Sequence, residues 1–295
     1  MQRKLRETFF KESSDEFLAT SDGQIRVRAH LYERMLDTET YVMPWIEAGF
    51  PLHDATVLEI GCGSGNATVP IARRTRRVMA WDINSQALET ARTCTELLGV
   101  DNVQFSQPLP QDWIASAQRQ LEGVDFNFVY LHAVLEHLTI SERIALLAAL
   151  WESLPVGGAL AVYETPNRLN LHDWHSTLKP FLDWLPPDLA CLYLDKNRYH
   201  HFSVPLPFFI GDLSQYNAET ETKLYRHGRG VSYHEFELAI GLDKFKVVAD
   251  SSTAIERDIW HKRKDYDDIL LGILAEANIP RGFASPSLDL VLQKI

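Results

Sequence analysis

Basic residues are in deficit: 29 Lys and Arg stand against 40 Asp and Glu, a formal net charge of -11 at pH 7. A surface that tracks a phosphate backbone wants the opposite imbalance, so nucleic acid is not the expected partner. Arg73, Arg74, Arg76 and Arg77 do not reverse this, because they fall at the end of an expected helix, where cations suit the dipole. Cysteine is scarce. Cys62, Cys94 and Cys191 are odd in number, far apart and form no C-x-x-C. That argues against a disulfide framework or zinc knuckle and fits a reducing, cytoplasmic setting. Long apolar runs are missing, so no membrane partner is expected. The opening stretch MQRKLRETFFKESSDEF carries charge throughout and lacks the apolar core of a signal peptide. Repeats and low-complexity tracts are missing too.

What is present is a chain of 295 residues, 45% hydrophobic, able to bury a core without disulfide or metal help. Apolar spacing predicts helices over 24–36 and 40–48, ended by Gly49, Pro51 and His53-Asp54. From there the pattern alternates. Strands are expected at 56–60, 78–82, 103–105, 126–131 and 159–163. Helices are expected at 66–74, 85–98 (Ser85 as cap), 111–120 and 141–154 (Ser141 as cap). Such alternation makes a mostly parallel sheet with helices on both faces. Residues 166–230 break the rhythm. They are rich in Pro, His, Trp, Tyr and Phe, too long and too apolar for a plain loop, and read as an inserted helical lid. A helix from Ser232 to Ile240, a sixth strand at 245–249, a helix at 258–277 and a seventh strand at 288–293 complete the α/β pattern. The expected organisation is an N-terminal helical cap (1–54), a core in two pieces (55–165 and 231–295) and the lid (166–230).

Glu59-Ile60-Gly61-Cys62-Gly63-Ser64-Gly65 follows a strand and opens a helix. Glycines there permit positive φ and close backbone approach, and the helix start offers free N–H groups. Asp82 ends the next strand, where a carboxylate can bind both hydroxyls of a ribose. The pairing fits an adenosine ligand.

VLEIGCGSGNATVPIA resembles motif I of the class I, Rossmann-like methyltransferases that use S-adenosylmethionine (SAM), with its E/D-x-G-x-G-x-G spacing. The G-x-G-x-x-G of dinucleotide enzymes is not kept. The resemblance spans about residues 56–163 plus the terminal strands. It implies that Glu59 fixes the glycine loop or the SAM amino group, and that Gly61, Gly63 and Gly65 line the methionine and ribose side. Asp82 would bind the ribose diol, with Ile83 against the adenine. Where the family often places an Asp near the adenine amine, this chain reads Gln107-Pro108-Leu109, so Gln107 or a backbone group takes that place. Leu131 or His132 would touch the methionine end. Glu164-Thr165-Pro166-Asn167 resembles the turn after strand five in the ubiquinone-type subgroup.

The acceptor side rests on single residues. Methyl transfer from a sulfonium needs alignment and exclusion of water more than a base. His137, after strand four, is the first candidate for acid–base work, with His175 second. Glu136 is expected at the substrate side, facing solvent or an arginine. His172 and His175, three apart, are candidates to hydrogen-bond substrate. Together with Asp173 they make a weak metal set, and no metal is expected. Trp174 and Tyr199 in the insert and Tyr32 in the N-terminal helices are candidate aromatic walls for a cationic acceptor, beside the alternative that they are packing core. The expected activity is SAM-dependent methyl transfer to N, O, S or C of a small molecule under the lid, leaving S-adenosylhomocysteine. Protein or peptide methylation, a non-catalytic SAM-binding regulator and an NAD reductase are the alternatives. Apolar residues in the N-terminal helices and insert lean toward a homodimer contact.

Overall fold

The computed structural model describes residues 6–7, 10–11, 13–28, 32–108, 119–173, 175–177, 179–196, 206–252 and 264–295. The N-terminal part holds helices Asp15–Ala19 (α1), Ser21–Arg28 (α2) and Arg34–Asp37 (α3), a π-helical turn Thr38–Val42 and helix Met43–Gly49 (α4). Then follow β1 (Thr56–Ile60), α5 (Thr68–Ala72), β2 (Arg77–Trp81), α6 (Ser85–Leu97), β3 (Val103–Ser106), β4 (Phe128–His132), α7 (Ile140–Ser153) and β5 (Ala159–Pro166). The later segment carries α8 (Pro187–Lys196), α9 (Ala218–Arg226), α10 (Tyr233–Ala239), β6 (Phe245–Asp250), α11 (Lys264–Glu276) and β7 (Ser287–Lys294). The helix expected at 111–120 falls largely outside the described residues, as does the start of the one expected at 258–277.

The seven strands form one sheet in the order β3-β2-β1-β4-β5-β7-β6. The pairs β1–β2, β2–β3, β1–β4 and β4–β5 are parallel, and β7 runs antiparallel between β5 and β6. This is the Rossmann-like sheet the sequence predicts. Alternate residues of each strand serve opposite faces. Leu58, Met79, Val129 and Leu160 pack into one core with α7 and α10. Val57, Val78, Phe128 and Ala159 pack into the other with α4, whose Trp45 Nε1 donates to Asp250 O at 2.9 Å. The chain winds outward from β1 through β2 to β3, then returns to β4 on the other side of β1. That reversal opens a crevice beyond the carboxyl ends of β1 and β4, where α/β sheets place their ligands.

Two helix starts differ from expectation. Asn84, not Ser85, caps α6, its Oδ1 accepting from Gln86 N and Ala87 N. Thr139, not Ser141, caps α7, in a reciprocal box with Glu142. Ser232 caps α10 as predicted. Arg77 belongs to β2, and Arg74 pairs with Glu39 at 2.7 Å, so the arginine cluster is partly tied to the N-terminal helices.

Residues 166–230 leave and rejoin the core at one place. Arg168 N donates to Val231 O, and Val231 N to Pro166 O, both at 2.8 Å. Asn167 locks this neck, its Nδ2 donating to Phe283 O and Ser285 O. Beyond the neck Leu182, Ala190, Cys191, Leu194, Phe208 and Leu224 form a separate apolar cluster. The described part of this segment therefore has an apolar cluster apart from the sheet's, while Leu169 beside the neck packs on the sheet core.

Candidate active site

The glycine turn closes on β2. Gly61 N and Cys62 N both donate to Trp81 O, at 2.7 and 3.1 Å. Gly61, Gly63 and Gly65 all have positive φ, which glycine adopts without steric cost. Two of them serve different ends. A Cβ on Gly65 would lie 2.9 Å from Ala91 Cα, so Gly65 lets the turn pack on α6. A Cβ on Gly63 would meet nothing within 4 Å, so its backbone borders open space. Asp82 bridges this turn to the next: Oδ2 accepts from Gly63 N and Oδ1 from Asn84 N, both at 2.8 Å. Burial nevertheless holds its carboxyl above the usual value, and those hydrogen bonds counter the rise.

Glu59 is buried beneath the turn, and Thr68 Oγ1 donates to its Oε2 at 2.7 Å. Burial pushes its carboxyl up to about 7, against the Thr68 hydrogen bond, and Asp82's charge adds to the rise. The Thr68 hydrogen bond ties β1 to the start of α5 across the glycine turn. Gln107 Nε2 donates to Ile83 O at 3.0 Å and so braces the loop after β2, while the Ile83 side chain is half exposed.

A cleft of about 440 Å³ opens here, within the range of small-molecule sites, about 300–1,000 Å³. One wall is Gly61, Trp81, Asp82, Ile83 and Pro108. The opposite wall is Ala133, Val134, His137 and Leu138, with Arg226 from the end of the insert. Leu131 instead lies wholly inside the sheet core, two residues before Ala133, where this stretch first lines the cleft. His132 turns toward β5, its Nε2 2.9 Å from Glu164 Oε2 and its Nδ1 3.3 Å from the Tyr130 hydroxyl. Ala133, just past the end of β4, has φ 52, and Glu164, at the bulge within β5, has φ 53.

His137 reaches the cleft wall on a short 3₁₀ turn, Leu135–His137. His175 comes from the insert and meets it, ring centroids 5.4 Å apart. Asp173 sets this up by accepting from His175 N, Ser176 N and Thr177 N, so it holds a turn rather than joining the imidazoles. Glu136 corrects the solvent half of the sequence reading: it is fully buried, near enough to Arg143 to feel its charge, with its Oε1 3.9 Å from His137 Nε2 and 3.8 Å from His175 Nε2. Burial raises its carboxyl to about 8 and lowers both histidines. His172 is bridged to Pro180 inside the insert and does not line the cleft. Tyr32 is exposed on the N-terminal helices and does not line it either. Leu109, Trp174 and Tyr199 lie outside the described residues.

Sequence reasoning missed Arg143. This buried guanidinium donates from Nε to Leu135 O (2.8 Å) and Leu138 O (3.0 Å), and from Nη2 to Glu136 O (3.4 Å), all around the 3₁₀ turn. It also donates to Arg229 O (2.6 Å), Gly230 O (2.9 Å) and Glu235 Oε1 (3.2 Å). One side chain thus joins the turn carrying His137 to the end of the insert. Its only signal in sequence was an arginine in an otherwise apolar helix face.

Residues 57–158 match the family described as a methyltransferase domain. Among curated relatives, the trans-aconitate 2-methyltransferase of Deinococcus radiodurans is 33% identical over 113 residues, 38% of this chain and 39% of that protein. The tRNA 5-carboxymethoxyuridine methyltransferase of Escherichia coli K12 is 31% identical over 107 residues, 36% and 38% of the two chains. The tRNA/tmRNA (uracil-C(5))-methyltransferase of Azotobacter vinelandii is 34% identical over 91 residues, 29% and 25%. The matches thus span between a quarter and two-fifths of these relatives' lengths. Among solved structures, a SAM-dependent methyltransferase from Clostridium acetobutylicum aligns at 13% identity with a TM-score of 0.38, over 53% of this chain and 61% of that one.

Proposed function

We propose that the chain is a SAM-dependent methyltransferase whose acceptor is a small molecule held beneath residues 166–230. The observation that carries this is the make-up of the cleft. A nucleotide-type turn forms one wall, and the other joins His137 of the core to Arg226 of the insert. Cofactor and acceptor sides therefore face each other across one space.

The residues fit the cofactor. Gly63 offers backbone that borders open space, which a bound cofactor could fill, and Asp82 offers carboxylate oxygens at the end of β2. Gly61, Gly63, Asp82, Ile83 and Pro108 would hold the adenosine part, braced by Glu59 and Gln107. When bound, SAM supplies an electrophilic methyl on a positive sulfur. The protein then has to orient the acceptor and keep water out. His137, His175 and Glu136 stand on the acceptor side, and the insert is the lid that closes over it. The turn at Glu164-Thr165-Pro166-Asn167 supports kinship with the ubiquinone-type subgroup.

The tRNA-acting relatives favour a second reading, RNA methylation. A net charge of -11 opposes it. Incubation with methyl-labelled SAM decides. Label in one compound of a panel of amines, thioethers, phenols and carboxylates supports the small-molecule reading, and label in bulk tRNA alone replaces it. Binding of SAM with no transfer to any class, peptides included, leaves a SAM-binding regulator.

A further inference from the structure

Glu136, His137 and His175 each bring one possible ligand atom to the same point. His137 Nδ1 lies 3.1 Å from Arg226 O, a carbonyl that can only accept, so Nδ1 carries the ring proton and Nε2 is bare. His175 Nδ1 lies 3.2 Å from Ser176 Oγ, whose own hydrogen goes to His227 O at 3.1 Å. The hydroxyl therefore accepts from His175, and that Nε2 is bare as well. Both Nε2 atoms face Glu136 Oε1, a fully buried oxygen with no hydrogen-bond partner among the described residues. Three such atoms converging on one point are satisfied either by a proton shared between the carboxyl and an imidazole or by a cation held among them.

We propose that Glu136 Oε1, His137 Nε2 and His175 Nε2 bind one divalent transition-metal ion, of which zinc fits best. The donor set, two imidazoles and one carboxylate, is that of a zinc site with a fourth position open. The three atoms lie within 4.8 Å of one another. Tetrahedral bonds of about 2.1 Å put ligand atoms about 3.4 Å apart, so the two carboxylate–imidazole separations of 3.9 and 3.8 Å must close by about half an ångström. The two imidazole nitrogens, within 4.8 Å of each other, draw in with them by side-chain rotation. The outer contacts are those a metal-bound histidine keeps: each Nδ1–H is fixed by an oxygen, which orients the ring. Arg143 holds the Glu136 backbone through its carbonyl and leaves the carboxylate to the ion. His137 lines the cleft, so the open position would face the space where an acceptor binds. The insert supplies one ligand and the core two, so the ion would also pin the insert to the core.

The metal site does not depend on the methyl-transfer reading, and its test has a readout apart from activity. The full-length chain, prepared without a histidine tag and stripped by chelator, is titrated with Zn²⁺ by calorimetry and with Co²⁺ by visible absorption. One ion per chain is expected, with the intense bands of low-coordinate cobalt. His175→Ala and His137→Ala should each weaken binding at least about 100-fold. Circular dichroism of each variant separates ligand loss from unfolding. His175 is partly exposed, so its variant is the one expected to keep the native spectrum. No saturable binding, or binding unchanged in both folded histidine variants, overturns the proposal. Metal binding that needs the three residues stands even if no acceptor is ever methylated.

Discussion

Asp82→Ala should nearly abolish cofactor binding while leaving the fold in place. The carboxylate spends one lone pair on Gly63 N–H and one on Asn84 N–H, which leaves one on each oxygen for a ribose diol. Hydrogen bonds to a charged acceptor contribute about 1.5–3 kcal/mol each. Loss of two costs about 3–6 kcal/mol, or about 10²- to 10⁴-fold in Kd. Asp82→Asn keeps one acceptor oxygen and should fall between the two. Calorimetry with S-adenosylhomocysteine reads this without turnover, and thermal melts check the fold. A folded Asp82→Ala protein that binds within about threefold of wild type, about 0.6 kcal/mol, would refute the assignment of this carboxylate to the ribose.

Gly63→Ala and Gly65→Ala should part company. The first costs only the left-handed backbone, about 1–2 kcal/mol by denaturant melt, but should block cofactor binding. The second adds a clash with Ala91 and should cost about 2–4 kcal/mol; equal stability of the two variants would contradict the geometry. Arg143→Met strips the buried carbonyls and Glu235 of their shared donor, and should cost about 3–5 kcal/mol in urea unfolding; under about 1 kcal/mol would mean the clamp is dispensable. For Glu59, the folded carboxyl titrates near 7 and the unfolded one near its ordinary 4.5. Its contribution to stability is full below pH 4.5 and is lost as pH rises through 7, by up to about 3 kcal/mol. Glu59→Gln should remove that share of the slope, and an unchanged pH–stability profile would count against a protonated Glu59.

The unit proposed to hold the cofactor was legible in sequence as a strand-turn-helix-strand because it is local. Glu59, the three glycines and Asp82 lie within one strand-turn-helix-strand unit, where spacing sets geometry. The acceptor half was not, because it is assembled across long separations. His137 and His175 meet only because a turn held by Asp173 in the insert folds back on the core. Glu136 read as a surface acid because the pattern of a three-residue 3₁₀ turn carries no period to betray which side is buried. Arg143 read as a helix residue like any other, since all but one of its acceptors are backbone carbonyls, which leave no trace in residue type, and the remaining one, Glu235, lies far along the chain. The missed caps have a simpler cause. Ser85 and Ser141 were good capping residues standing one and two places beyond Asn84 and Thr139, which were better placed.

The neck at Pro166 and Val231 has an evolutionary consequence. Two backbone hydrogen bonds bring the ends of the insert to neighbouring-strand distance, so the entropy of closing that loop is settled by the core, whatever the loop contains. With its own apolar cluster, the insert behaves as a cassette. A different cassette could be spliced between the same two residues, and the half of the molecule holding Asp82 and the glycine turn would not have to be reinvented. Only the carbonyls offered to Arg143 and the side chains facing His137 would have to be matched. If the acceptor binds beneath this segment, as proposed, its specificity would change by exchange of one segment while the half with the glycine turn is inherited intact.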